Sequence, residues 1–591
     1  MRRRFKNLRE FIRAIDEIGQ LRRVSEKVSP ILEISKYTDA ESKKPGGGKA
    51  LFFENVFDNG RRAFPVATNL FGSKERMSLA LGVEDIEDAA NMVRKLLETA
   101  PPATLAEKFR LLGKLLPLAK ISPKTVSRAP CQEVVMTGKD IDLSEIPVLK
   151  CWPQDGGRFV TLPLVFTKSA ESGRPNLGMY RLQIFDKSTT GMHWHIHKDA
   201  SHYYCEYSRL KKPMPVAVAI GADPSVIYAA TAPMPRGIDE LLLAGFFRGK
   251  GVEMVECKTV PLKVPAEAEF VLEGYVEPDE RRLEGPFGDH TGYYSLADMY
   301  PVFHLSAITR RREPIYCATL VGPPPMEDCY MAKATERIFL PMLQTVLPEI
   351  KDYFLPWEGV FHNIVVVAID KEYPAHAQRL MSALWGQGQM SFCKAIVVVD
   401  KHTNPSDCRA IARLLSERFD PQTDITLSYG VLDALDHSAP RPFAGAKIGV
   451  DLTARVAGEP PRNAAKPAQP SEDEIAEIKK WLEENLGETV SVAVRGAAAA
   501  VALNKGGRCG RDILRKAAEC PNARKFLRLV AIFDAEIDTS DASKMLWKIF
   551  NNTDPARDII IDGSLALIDA CKKNAADGHT REWPDELSFY K

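Results

Sequence analysis

Four of the eleven histidines fall within ten residues, in Met192-His193-Trp194-His195-Ile196-His197-Lys198-Asp199-Ala200-Ser201-His202. On an extended strand, alternate side chains share a face, so His193, His195 and His197 would present three imidazoles together, and imidazole binds transition metals. Same-face neighbours along a strand lie roughly 6 to 7 Å apart, wide spacing for three ligands at about 2.1 Å from one ion. One ligand from this segment is the simpler expectation, with a three-histidine zinc site and plain packing as the other readings. A second segment, Glu284-Gly285-Pro286-Phe287-Gly288-Asp289-His290-Thr291-Gly292-Tyr293-Tyr294, is fixed by Pro and Gly and unsuited to a helix or a central strand. Two carboxylates on such a loop can share a cavity, where repulsion and burial raise one pKa and keep that acid as a proton donor near neutral pH. Solvated acids on a turn are the plain alternative. Asn176-Leu177-Gly178-Met179-Tyr180-Arg181 brings a guanidinium to the start of an apolar run, where it can grip a carboxylate with two parallel hydrogen bonds or form a surface ion pair. Pro233 to Glu240 is a Pro-rich turn that delivers two acids to the start of a helix.

The elements that must position these residues can be read from periodicity. Leu8, Phe11, Ile12, Ile15 and Ile18 recur at helical spacing and Gly19 ends the run. Lys44-Pro45-Gly46-Gly47-Gly48-Lys49 leads into the strand Ala50-Leu51-Phe52-Phe53, and without Ser or Thr after Lys49 it is no phosphate-binding P-loop. From about Pro130 to Leu320, short β-rich runs alternate with Pro and Gly turns and predict a β-barrel or sandwich. Ile364–Ile369 and Ala395–Val399 are continuous apolar strands among helical patterns, the mark of a buried sheet with helices on it.

At 591 residues the chain exceeds one hydrophobic core. The expected division is an N-terminal α/β domain over 1–129, a β-rich domain over 130–320, an α/β domain over 321–456 and an extra α/β module over 471–591. Residues 457–470 form a Pro/Ala/Gly-rich linker, and Ser471-Glu472-Asp473-Glu474 is a capping-box pattern that opens a helix ending near Gly487. The extra module repeats residues ~380–440. At one offset, Asp400, Asp407, Asp420-Pro421 and Asp424 coincide with Asp534, Asp541, Asp554-Pro555 and Asp558, and Lys394 coincides with Arg528. A structural copy is favoured over a second ligand site.

Lys and Arg number 79 against 78 Asp and Glu, so no net field draws nucleic acid or an anionic membrane. The eleven cysteines include no Cys-x-x-Cys pair, and reduced thiols are expected. No run approaches a membrane span; Leu111 to Leu118 is the greasiest, fit for packing or peripheral lipid contact. The basic N-terminus lacks the apolar run of a signal peptide, which predicts a cytoplasmic protein, at most peripheral to a membrane.

In order and spacing, the 176–181, 192–198, 233–240 and 284–289 segments, continued by Lys394 and by Ala446-Lys447-Ile448-Gly449-Val450-Asp451, resemble the UbiD family of decarboxylases that use prenylated FMN. The resemblance covers residues 5 to 455. It implies a central FMN-binding split β-barrel and a metal, manganese or magnesium, held by Asn176, His197 and Glu240 and bridging to the cofactor phosphate, with potassium nearby. It implies flavin contacts at Met179, Tyr180, Arg181, His193, Trp194, His195, Lys198 and Asp199, a phosphate contact at Lys394, and the catalytic trio Arg181, Glu284 and Asp289. It further implies a flavin prenyltransferase as cofactor supplier and a homo-oligomer, dimer or hexamer.

Loss of carbon dioxide from an sp² carbon needs an electron sink that side chains do not supply and a cofactor does. Arg181, paired with Glu284, would orient the carboxylate, and Asp289 would protonate the carbon. The Met192 to Lys198 form, Pro440 to Lys447 and the long extension look like the menaquinone branch, which points to a prenylated dihydroxynaphthoate. A polyprenyl 4-hydroxybenzoate of ubiquinone synthesis, or a catabolic aromatic acid, is the alternative. A flavin or metal carrier without activity would need Asn176, His197 and Glu240 but not Glu284 and Asp289.

Overall fold

The computed structural model describes residues 3–97, 120–196, 198–235, 237–463 and 466–590. The chain divides into two compact units, one running to Ile338 and including the segment from Asp585, the other Phe339–Pro584. His197 and the Leu111 to Leu118 run lie outside the described residues.

The first unit opens with the helix Leu8–Glu17, capped by the Asn7 side chain, which accepts from Glu10 N–H. Its buried face is Leu8, Phe11, Ile12, Ala14 and Ile15, while Ile18 sits exposed just past its end. Strand Leu21–Val28 then pairs in parallel with Ala50–Asp58, which pairs with Val66–Thr68, and Tyr316–Cys317 returns from far along the chain to complete that sheet.

The β-rich section forms a seven-stranded sheet. Its order is Thr189–Gly191, Asp298–Arg310, Phe270–Glu284, Met214–Ile220, Pro163–Lys168 and Pro175–Gly178, with Val134–Thr137 also on the 298–310 strand. All its neighbours are antiparallel. Met214–Ile220 is buried along its whole length, as expected of a central strand covered on both faces. Phe270–Glu284 and Asp298–Arg310 form a long hairpin whose last pair is Glu284 with Asp298, so the Gly/Pro loop of the 284–295 segment is the tip of that hairpin. Asn176 pairs with Thr167 in the outermost ladder.

The second unit contains two five-stranded sheets of one design. The first runs Ile350–Phe354, Ile364–Ile369, Ala395–Asp400, Ala444–Asp451, Ile425–Val431; the second runs Thr489–Arg495, Ala498–Leu503, Leu529–Asp534, Leu565–Asp569, Ile559–Asp562. In each, the first pair is antiparallel, the two central pairs are parallel and the last is antiparallel. The coincident aspartates have the same local roles. Asp407 and Asp541 cap the helices Cys408–Glu417 and Ala542–Asn552 with their side chains. Asp424 accepts from Asp420 N–H, and Asp558 accepts from Asp554 N–H, both at 2.8 Å. Lys394 and Arg528 enter the middle strands through the same backbone bond, to Asn363 O and Ala497 O. The Ser471 capping box is present and opens the helix Glu472–Asn485.

All eleven cysteines are free thiols. Among the described residues, no helix is long and apolar enough to cross a membrane.

Candidate active site

Arg181 stands between two elements, just before the short strand Leu182–Gln183 and opposite the hairpin tip. Its Nε donates to Glu284 Oε1 at 3.1 Å, its Nη1 pairs with Asp289 Oδ2, and its Nη2 donates to Ser295 Oγ at 3.0 Å. The guanidinium carbon lies 4.5 Å from the centre of the Phe287 ring and 5.9 Å from that of Phe159. These rings supply a low-dielectric wall, in which charge pairing is stronger than in water. The expected trio is thus a three-way ion pair, buried at both acids.

Both acids are held as carboxylates. Burial pushes the Asp289 carboxyl up, but the hydrogen bond from His290 and the Arg181 charge outweigh it and hold it well below the ordinary range. Burial acts in the same sense on Glu284, and the His193 hydrogen bond and Arg181 reverse it. The expectation that repulsion leaves one acid protonated near neutrality therefore fails for this arrangement, because a cation sits between the two.

Glu284 Oε1 also meets His193 Nδ1 at 2.7 Å, and His193 Nε2 meets His195 Nε2 at 2.7 Å. Burial, then Arg181, lowers the His193 pKa, so the ring is neutral. A neutral His193 facing a carboxylate through Nδ1 carries its proton there, so Nε2 accepts from His195 Nε2–H, a tautomer inferred from partners. With both nitrogens taken, His193 has none for a metal. The strand that would have aligned the histidines ends at Gly191; beyond it Met192 N–H donates to Pro301 O and His193 N–H to Arg181 O, and the His193 and His195 rings meet at 4.7 Å between centroids.

The other expected residues gather on the neighbouring ladder. Glu240, first residue of the helix Glu240–Arg248, accepts from Leu177 N–H at 3.0 Å, which brings its carboxylate beside buried Asn176. Burial pushes the Glu240 carboxyl up to about 7. Tyr180 folds back over Gly178, where a Cβ would lie 2.3 Å from the phenol oxygen. Lys198 and Asp199 begin the helix Asp199–Leu210, against which Trp194 packs through Tyr204. Met179 is half-buried between Gly178 and Tyr180. Lys394 belongs to the second unit, where its ammonium pairs with Asp436 at 2.7 Å and donates to Ser438 Oγ and Thr553 O.

Two polar atoms here are buried without a hydrogen-bond partner among the described residues, Glu284 Oε2 and Trp194 Nε1. Unpartnered buried polar groups are costly in a closed core and are expected where a ligand completes the bonding. The amide and carboxylate oxygens of Asn176 and Glu240 suit a hard divalent cation better than zinc. Among the described residues, no cluster of three or more His, Cys, Asp or Glu forms a metal site.

Sequence reasoning missed the supports of the loop. Asp155 accepts from Gly288 N–H through Oδ1 and from Cys151 and Trp152 N–H through Oδ2; Gln183 accepts from Gly285 N–H. Nothing in their local spacing points 100 or more residues ahead. Ser295 and Phe287 lay within reach, as they belong to the same loop.

The family model for the N-terminal domain of 3-octaprenyl-4-hydroxybenzoate carboxy-lyase matches residues 12–98, that for its Rift-related domain 124–324, and that for its C-terminal domain 329–452 and 489–575. An uncharacterised protein of Archaeoglobus fulgidus is 48% identical over 453 residues, 76% of this chain and 92% of that protein. One from Helicobacter pylori strain J99 is 37% identical over 590 residues, 98% of this chain and 94% of its own. Among solved structures, the closed form of Sedimentibacter hydroxybenzoicus vanillic acid decarboxylase is 27% identical with a TM-score of 0.68, covering 80% of this chain and 97% of that one. An evolved dimeric form of the UbiD-class enzyme HmfF from Pelotomaculum thermopropionicum, in complex with prFMN, is 27% identical with a TM-score of 0.63, covering 77% and 96%.

The arginine held between two loop acids and these matches define a carboxy-lyase. The chain belongs to the UbiD family.

Proposed function

We propose that this chain decarboxylates a hydroxylated aromatic carboxylic acid non-oxidatively, with prenylated FMN as cofactor. The observation that carries the reading is the half-buried Arg181 shared by the buried acids Glu284 and Asp289 on one fixed hairpin tip. When bound, the cofactor supplies the electron sink that decarboxylation at an sp² carbon requires.

The side chains account for the rest. An incoming carboxylate competes with Asp289 for Arg181 Nη1, while Glu284 keeps the guanidinium oriented through Nε. Asp289 then loses much of its counter-charge and stays buried, so its pKa rises and it takes a proton. Protonated Asp289 is the acid that returns a proton to carbon after carbon dioxide leaves. Phe287 and Phe159 keep water from the guanidinium. Met179, Tyr180, His193, Trp194, His195, Lys198 and Asp199 would wall the flavin. Asn176, His197 and Glu240 would hold manganese or magnesium beside its phosphate, with potassium nearby. A phosphate contact by Lys394 would require exchange of one of its present partners.

For the substrate, the family description and the vanillic acid decarboxylase likeness favour a benzoic acid, prenylated as in 4-hydroxybenzoate or not. The prenylated dihydroxynaphthoate rests on the segment resemblance alone. The working protein would be a homo-oligomer loaded by a flavin prenyltransferase.

The test is to co-produce the chain with such a prenyltransferase, record the spectrum and mass of bound flavin, and offer both classes of acid. Asp289→Asn should retain flavin and lose roughly 10²- to 10⁴-fold in turnover. An active, flavin-bound Asn variant sinks the proton-donor role, and loss of quinone on gene deletion, with a carboxylated prenyl precursor accumulating, identifies the pathway.

A further inference from the structure

The chain leaves the second unit at Pro584, and residues from Asp585 onward belong to the first unit. There they lie along the catalytic hairpin tip. Tyr294 N–H donates to Asp585 O at 3.0 Å, Leu587 N–H donates to Gly292 O at 2.9 Å, and Glu586 bridges Tyr293 in antiparallel fashion. Tyr294–Ser295 already pairs with Phe287–Gly288 on its other side, so the segment adds a third strand to the ribbon that carries Asp289.

Its side chains close the same place. The Phe589 ring stacks on Trp152, centroids 4.4 Å apart and planes 23° off parallel. Leu587 is buried in the core beneath. A Cβ on Gly288 would lie 2.1 Å from Trp152 Cδ1 and 2.9 Å from Leu587 Cδ2, so these two side chains define the space beside the residue preceding Asp289. Trp152 N–H also donates to Asp155, the acid that holds Gly288 N–H. Gln154 ties the two parts together, accepting no slack: its N–H donates to Tyr294 Oη and its Nε2 to Asp585 Oδ2, each at 3.1 Å. Anchoring stops at Phe589, since Tyr590 is 94% exposed.

We propose that Asp585–Phe589 is a positioning strap for the catalytic loop, acting on Asp289 through Gly288 and the Gly292–Tyr294 edge. The strap fixes the backbone on both sides of Asp289, at Gly288 through Leu587 and Trp152 and at Gly292–Tyr294 through its own backbone. This rests on the reading of Arg181 and Asp289 as the working pair. A loose loop would let Asp289 drift from Arg181, and displacement of about 1 Å at a reacting group can cost on the order of 10²-fold.

The experiment compares four full holoenzymes: wild type, a chain stopped after Pro584, Phe589→Ala and Phe589→Tyr. Measured are kcat and KM on the acid that wild type decarboxylates, flavin content, and backbone amide exchange across residues 285–295. The expected result is kcat lowered about tenfold or more in the stopped chain and in Phe589→Ala, with KM and flavin unchanged. Exchange at Gly288 and Tyr294 should be about tenfold faster, and Phe589→Tyr should recover both. Wild-type kcat with faster exchange, or wild-type exchange in Phe589→Ala, overturns the proposal; so does loss of flavin and fold together in that variant, which marks a merely structural role. If wild type turns over no aromatic acid, the functional reading has failed, and the exchange data still decide whether the strap holds the loop.

Discussion

The chemistry of single residues turns on one cation shared by two acids. Against the pull of burial, the hydrogen bonds from His193 and His290 and the Arg181 charge lower the Glu284 and Asp289 pKa values, so the folded chain binds protons at these groups less readily than the unfolded chain does. Their stability contribution is therefore present above the ordinary carboxyl range of about 4 and is lost as pH falls through and below it. Thermal melts between pH 3 and 7 should show Asp289→Asn losing less stability on acidification than wild type; parallel curves would mean that Asp289 is not a carboxylate at rest. A second expectation concerns Gly191. Its φ is not positive, so alanine adopts the backbone without strain, yet a Cβ there would lie 2.7 Å from Glu284 Oε2. Gly191→Ala should fold, push Glu284 off Arg181 and His193, and lower kcat on the order of 10²-fold. Wild-type turnover in that variant would show that Glu284 does not orient Arg181. The candidates at this scale were legible as residue types, but their charge states were not: the two loop acids suggested mutual repulsion, and the hydrogen bonds from His193 and His290 together with Arg181 between the acids reverse the sign.

Among the elements, the hairpin Phe270–Glu284/Asp298–Arg310 matters most, because its length carries the loop to Arg181 and its end pair fixes where the loop begins. The helix Glu240–Arg248 has the matching task on the other side. Asp239 caps it by accepting from Leu241 N–H at 2.9 Å, which sets the direction of Glu240 toward Leu177 and Asn176. Asp239→Ala should cost about 1 kcal/mol of stability and, on the proposed metal role of Glu240, lower the binding of added manganese or magnesium, measured by denaturant unfolding and metal titration; wild-type metal binding would free Glu240 from dependence on the cap. The start of that helix was readable from Pro233 to Asp239. The histidine segment was not readable as it stands, because alternation implies a strand while the strand ends at Gly191, and beyond it the backbone bonds to Pro301 O and Arg181 O instead, with His193 and His195 turned toward each other.

At the scale of the whole molecule, the chain spends its length on a unit that holds the Arg181 ion pair and on two sheets of identical strand order. The matching landmarks of the two sheets were legible in the sequence because caps and turns depend on local residues: an aspartate at a helix start or an Asp-Pro corner has the same effect wherever the chain carries it. The family was likewise legible, since its segments are short and each is read in place. What the sequence does not contain is which distant partners complete them. Asp155 reaches Gly288, Tyr316–Cys317 joins a sheet begun at Leu21, and Asp585–Phe589 returns to the hairpin tip. Those pairings depend on long-range register and packing, to which no local spacing is sensitive. Arg181, Glu284 and Asp289 could be named from sequence, therefore, but their joining into one three-way ion pair was decided by tertiary packing, which brings residue 181 to a loop about 100 residues further along the chain.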